Sequence, residues 1–228
     1  MTRRAKDLLA TLFVCSLAVV GGAASTDTAH AEGALHADVS PLAHTSSTPG
    51  PVSLANVPGP DGGVAWGRAE GLIDARPADV LAILHDYAQY AGLFPHFEKS
   101  RVLSQRGTDA IVYLEAKVLH GAATLWGNVR MSSKADGASP ELATHVVEAK
   151  MMKGKSNIAQ LLARWELTPV ENGRRTKVAF QLLVDPDLPV PDAVVSGEMK
   201  TSAGRAFKAL RQRASQRAVY AARPNTAT

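Results

Sequence analysis

Apolar and polar side chains alternate with a period of two through the middle of the chain. Val112, Leu114, Ala116 and Val118 form one apolar set, and Ala123, Leu125, Gly127, Val129 and Met131 the next. Ala143, His145, Val147, Ala149 and Met151 follow, then Ala159, Leu161, Ala163, Trp165 and Leu167, then Val178, Phe180, Leu182 and Val184. The intervening positions hold Glu115, Lys117, Asn128, Arg130, Glu148, Lys150, Arg164, Glu166, Lys177 and Gln181. Successive side chains of a strand point to opposite faces. The pattern therefore predicts a sheet with one dry face and one wet face, whose charges can pair across strands. His145 is the one polar side chain of the dry set.

The strand-like runs are 64–73, 100–105, 110–118, 122–132, 142–152, 158–168 and 176–184. Their breaks contain Gly107, Gly121, Gly137 with Pro140, Gly154, and Glu171-Asn172-Gly173, as antiparallel turns require. After the first run, Asp74 is a candidate cap and Pro77 suits a first helical turn. Val80, Leu81, Ile83 and Leu84 give that helix its apolar side, and a second short helix over 86–94 is closed by Pro95. At the other end Pro186, Pro189 and Pro191 stop the last strand. Val195, Met199, Ala203, Ala206, Phe207, Leu210 and Ala214 then recur at helical spacing. A helix of about 30 residues, about 45 Å long, is predicted there. The order β, α, α, six β, long α implies an α+β fold, an antiparallel sheet of about seven strands with helices on one face.

The dry face is rich in small residues: Ala116, Ala123, Gly127, Ala143, Ala149, Ala159 and Ala163. They let the long helix pack directly onto the sheet, or leave an apolar space beneath it able to take an apolar ligand. Periodicity leaves both open.

The N-terminus changes the picture of where the protein works. Arg3, Arg4 and Lys6 precede a short apolar run, 8–20, and small residues at 21–24 and Ala29-His30-Ala31 follow. This reads as a secretory signal peptide over 1–31, cleaved after Ala24 or Ala31, and implies a periplasmic or secreted protein. Residues 32–62, rich in Ala, Ser, Thr, Pro and Gly, read as a disordered tether. The folded domain is expected over 63–221, with a disordered tail over 222–228. The single cysteine, Cys15, lies in the apolar run, so no intramolecular disulfide or thiol-based zinc site can form.

Net charge is +4, and the basic residues cluster only in the last helix. There Arg211, Arg213 and Arg217 offer a weak contact for an anionic membrane surface. No aromatic residues interleave with them, which argues against nucleic acid. The histidines show no metal-ligand spacing, no nucleophile stands beside a base, and no glycine-rich phosphate loop is present. The residues call for no cofactor and supply no catalytic group.

Two segments, Asp74-Ala-Arg-Pro-Ala-Asp-Val-Leu-Ala-Ile-Leu-His-Asp-Tyr-Ala-Gln-Tyr and Leu93-Phe-Pro-His-Phe-Glu-Lys-Ser-Arg-Val-Leu, resemble the opening of START-like (SRPBCC, polyketide cyclase/coenzyme Q-binding) domains. Trp165-Glu-Leu-Thr-Pro, Thr176-Lys-Val and Asp185-Pro-Asp-Leu-Pro continue the likeness in order, over about 63–215. Arg76 departs from the small residue common at its position. The resemblance implies a helix-grip fold, a sheet wrapped around the C-terminal helix with a ligand tunnel between them. Members of the family bind lipids, sterols, quinones or polyketides, and some are cyclases or aromatases. It transfers no catalytic residue. The expectation is an exported module that binds or carries a lipid, quinone or polyketide-like molecule. The alternatives are a cyclase or aromatase, and a protein- or membrane-surface module. The candidate ligand-binding residues are Leu125, Val129, Met131, His145, Met151, Trp165, Phe180, Met199 and Phe207, with Met199 and Phe207 expected near the cavity.

Overall fold

The structure, a computed structural model, describes residues 50–59, 63–118, 121–137, 139 and 142–221, with side chains as far as 217. The stretches read as a signal peptide and a tail, and most of the one read as a tether, lie outside the described residues.

Eight strands form one antiparallel sheet: β1 (Ser53–Val57), β2 (Trp66–Ile73), β3 (Phe97–Arg106), β4 (Asp109–Val118), β5 (Ala123–Asp136), β6 (Thr144–Met151), β7 (Ile158–Val170) and β8 (Arg175–Pro186). The spatial order is β1-β2-β8-β7-β6-β5-β4-β3. The meander from β3 to β8 follows from its short turns, and β2 closes the row by pairing with β8. Three short pieces lie between β2 and β3: helix α1 (Pro77–Leu84), a 3-10 turn (Tyr87–Gln89) and helix α2 (Tyr90–Leu93). Helix α3 (Asp192–Ala221) ends the chain. This is the helix-grip arrangement.

Two expectations differ in detail. Ser53–Val57 lies inside the stretch read as a tether, yet it pairs with β2 from Ser53↔Glu70 to Val57↔Trp66. It is an edge strand with little buried surface, so composition did not reveal it. Asp74 does not cap α1. It pairs with Arg175, and Arg76 takes the N-cap position in extended conformation with no side-chain cap bond. The turn is fixed instead by Thr176, whose hydroxyl donates to the Ala75 carbonyl at 2.7 Å in a fully buried position.

The wet face carries the expected ladder. Glu70 accepts from Arg68 and Lys177 at 2.8 and 2.7 Å, and Arg164 reaches Glu148 at 2.7 Å. These pairs are partly exposed, and each contributes little to stability. On the dry face, Ala159 departs from the pattern. The β7–β8 register shifts between Ile158 and Gln160. The bulge turns Ala159 to solvent and Ile158 inward.

Helix α3 crosses the sheet over β2, β8 and β1. The contact with β2 is as close as backbones allow. A Cβ on Gly67 would lie 2.0 Å from the Met199 carbonyl oxygen, and one on Gly71 would lie 2.9 Å from the Phe207 ring. Ala203, Phe207, Leu210 and Ala214 are buried at this contact.

Candidate ligand site

Away from β2, apolar space lies between the sheet and the helix. Two adjoining cavities of about 100 Å³ each occupy it. Phe97, Leu114, Leu161 and Leu182 line both, so the two cavities meet at these side chains.

The first is an aromatic cavity. Tyr90, Phe94, Phe97, Trp165 and Phe180 surround it, with Met131, Ala149, Ala163 and Ala206 completing the wall. Trp165 and Phe180 face each other across β7 and β8, stacked with centroids 3.7 Å apart. Phe94 lies 6.0 Å from Trp165. Tyr90 is fixed by donating its hydroxyl to the Leu84 carbonyl at 2.6 Å. Complete burial pushes its pKa well above the ordinary tyrosine value. Tyr87 behaves similarly, bonded to the Thr108 carbonyl at 2.6 Å and pushed up to about 12 by burial. These two tyrosines anchor the short helices that wall this side.

The second is an aliphatic cavity. Leu125, Val129, Ile158, Leu182, Val184 and Met199 line it, with Ala116, Gly127, His96 and Ser202. The loop closing this end of the sheet is pinned by Asn157. Its side chain accepts from the Trp126 backbone N–H at 2.9 Å and donates to the Thr124 carbonyl at 2.7 Å.

A small polar cluster borders the aliphatic cavity. Arg205 lies 3.2 Å from His96 Nε2. A guanidinium only donates, so Nε2 accepts and the His96 ring is neutral, with its proton on Nδ1. Burial and the nearby Arg205 charge lower the His96 pKa, against an opposing pull from Glu198. Ser202 donates to Glu198 at 3.1 Å, and Glu198 stands 3.9 Å from Arg205.

Six of the nine candidate residues line the cavities: Met131, Trp165 and Phe180 the first, Leu125, Val129 and Met199 the second. Three do not. Phe207 points with Ala203 toward β2, about 100° around the helix from Ala206. It is fully buried against Gly71, with the Arg211 guanidinium 5.0 Å above its ring. His145 lies four residues along β6 from Ala149, about 13 Å away. It is opposite Leu167 and near His85, whose pKa it helps burial to lower. Met151 is packed above Gly127, its methyl 2.6 Å from where a Cβ would be.

Sequence reasoning placed Tyr90, with His85, Asp86 and Tyr87, at the short helices beside a tunnel mouth, and passed over Phe94, Phe97, His96 and Ser202 as site residues. The run Leu93-Phe-Pro-His-Phe carried the signal for three of them, apolar rings bracketing a proline-fixed turn. Ser202 lies three residues from Met199 on the same helix face. Arg211 is also not free for a surface contact. It donates to the Gly50 carbonyl at 3.0 Å and covers Phe207, while Arg213 and Arg217 are exposed.

Among the described residues, no three His, Cys, Asp or Glu gather as a metal ion needs, and no helix is long and apolar enough to cross a membrane.

A helix-grip domain with apolar space under its grip is the class of molecule that fold and cavities define. Residues 73–211, more than half of the chain, match the family described as polyketide cyclase / dehydrase and lipid transport, and the chain belongs to that family. Solved structures share the fold. A STAR-related lipid transfer protein from Xanthomonas axonopodis is 22% identical, with a TM-score of 0.60 over 72% of this chain and 93% of that one. A START superfamily protein from Mycobacterium smegmatis is 17% identical, with a TM-score of 0.54 over 66% and 97%. Human StAR-related lipid transfer protein 5 is 13% identical, with a TM-score of 0.58 over 73% and 83%. No curated protein matches the chain.

Proposed function

We propose that this protein binds and carries an apolar small molecule between the sheet and α3. The observation that carries this reading is the pair of adjoining cavities, walled by apolar side chains from six strands, the α2 region and α3. Such walls exclude water and hold an apolar body by burial alone. Size narrows the occupant. A closed cavity of about 150 Å³ takes a benzene ring, and these two offer about 100 Å³ each. Joined, they suit a single ring, a compact fused pair or a short chain. A two-chain lipid would need α3 or the α1–α2 segment to move outward. The solved lipid-transfer neighbours are consistent with an apolar ligand.

Native mass spectrometry of the protein purified from its own host tests the reading. An adduct of a small apolar molecule, released on denaturation, is expected. The bare chain mass, with no uptake from lipid extracts, would overturn it. The same reading takes the carrier to be exported, on the strength of its N-terminal sequence. Mass analysis of extracytoplasmic protein should find an N-terminus at Ser25 or Glu32, whereas an intact Met1 in the cytoplasm would refute export.

A further inference from the structure

We propose that His96 and Ser202 form a head-group site, which selects a hydroxyl at one end of an otherwise apolar ligand. The inference rests on the ligand reading above and adds what the ligand must carry.

The two cavities differ in how they treat a polar group. In the aromatic cavity the Tyr90 hydroxyl is already given to Leu84, and Trp165 has only an indole N–H, which donates and cannot accept. Two polar side chains line the aliphatic cavity, His96 from the turn into β3 and Ser202 from α3. Both are partly exposed, so they border the cavity rather than sit in its depth.

Their existing bonds decide what they can still do. His96 Nε2 accepts from Arg205, which leaves Nδ1–H as a donor. Ser202 donates its proton to Glu198, which leaves its oxygen lone pairs as acceptors. The pair thus offers one donor and one acceptor. A hydroxyl is the group that answers both, donating to Ser202 Oγ and accepting from His96 Nδ1–H. A ketone can only accept.

Charge argues the same way. Arg205, bonded to His96, and Glu198, bonded to Ser202, lie 3.9 Å apart and balance each other. A carboxylate head would gain Arg205 but face Glu198. An ammonium head would gain Glu198 but face Arg205. Either ion would also lose hydration at the edge of an apolar space, a cost that a neutral hydroxyl with both bonds made does not carry.

The test compares naphthalene, 2-naphthol and 2-naphthoate, which share one fused-ring body and differ only at the head, by calorimetric titration into the full folded protein. Two net hydrogen bonds should favour 2-naphthol over naphthalene by about tenfold. Ser202→Ala should bring that ratio toward one, and Ser202→Thr, which restores the hydroxyl, should recover it. Equal affinities for naphthalene and 2-naphthol would overturn the head-group site and leave the apolar cavity reading intact. Tightest binding of 2-naphthoate would replace the hydroxyl with an anion. Failure of all three to bind would remove the cavity reading, and the head-group site with it.

Discussion

Phe207 shows how a single position on α3 separates close packing from cavity lining in this molecule. It is fully buried between Gly71 and the Arg211 guanidinium. Phe207→Ala should cost about 3–5 kcal/mol, read from urea unfolding, because a large buried ring leaves a cavity that its neighbours cannot refill. Its helical spacing marked it correctly as core, but spacing could not say which side of α3 met β2 and which met open space. Thr176 is a quieter case. Thr176→Val keeps the shape and leaves the Ala75 carbonyl unbonded, so a loss of about 1–3 kcal/mol is expected by the same measurement. The histidines govern pH dependence. Burial, with His145 nearby, lowers the His85 pKa from 6.5, and burial with Arg205 lowers that of His96. The unfolded chain therefore binds more protons than the folded one once the pH falls below 6.5. Stability should be full near neutral pH, fall as the pH drops through that value, and level off below the folded-state pKa values. His85→Gln should flatten part of this slope in melting temperatures taken between about pH 5 and 7. An unchanged slope would assign it elsewhere. Glu70 and Glu115, held low by lysine partners, act only at lower pH, below 4.5.

Among the elements, α3 and its contact with β2 decide where the molecule is solid and where it is hollow. Two glycines make a paired test. At Gly67 an added methyl meets the backbone of Met199 at 2.0 Å, so Gly67→Ala must push the helix off the sheet. At Gly197, on the exposed side of the same helix, an added methyl meets nothing within 4 Å. Gly67→Ala should lower the thermal midpoint sharply or prevent folding, while Gly197→Ala should stabilise by about 0.5–1 kcal/mol through helix propensity. Comparable effects of the two would mean that α3 does not sit against β2 as described. The sequence made α3 legible through its 3.6-residue stripe, and the faces of β4 to β8 through their alternation. It did not show that the small residues divide into two uses. Gly67 and Gly71 admit the helix, while Ala149, Ala163 and Ala206 leave space. That division depends on where the helix crosses the sheet, which is a property of the assembled fold. Ala159 failed for a local reason, because a bulge adds one residue and reverses the alternation beyond it.

At the scale of the whole molecule, the two-faced sheet and the long apolar-striped helix could be read from residue pattern, and the family resemblance implied the grip of one on the other. The edge strand β1 could not, because five half-exposed residues among prolines look like a tether until β2 offers them a partner. Nor could the His96–Arg205 cluster, whose members are 109 positions apart. The central claim is that the space under α3 receives an apolar ligand. Titration with the neutral two-ring fluorophore 1-naphthylamine, into the wild-type protein and into Ala163→Leu and Ala206→Leu variants that fill the aromatic cavity, tests it most directly. We expect saturable one-to-one enhancement for the wild type, and at least about tenfold weaker binding for the filled variants, because added methylenes occupy the volume the probe needs. Their circular dichroism should stay native. Equal binding by all three proteins, or no saturable binding by the wild type, would contradict it.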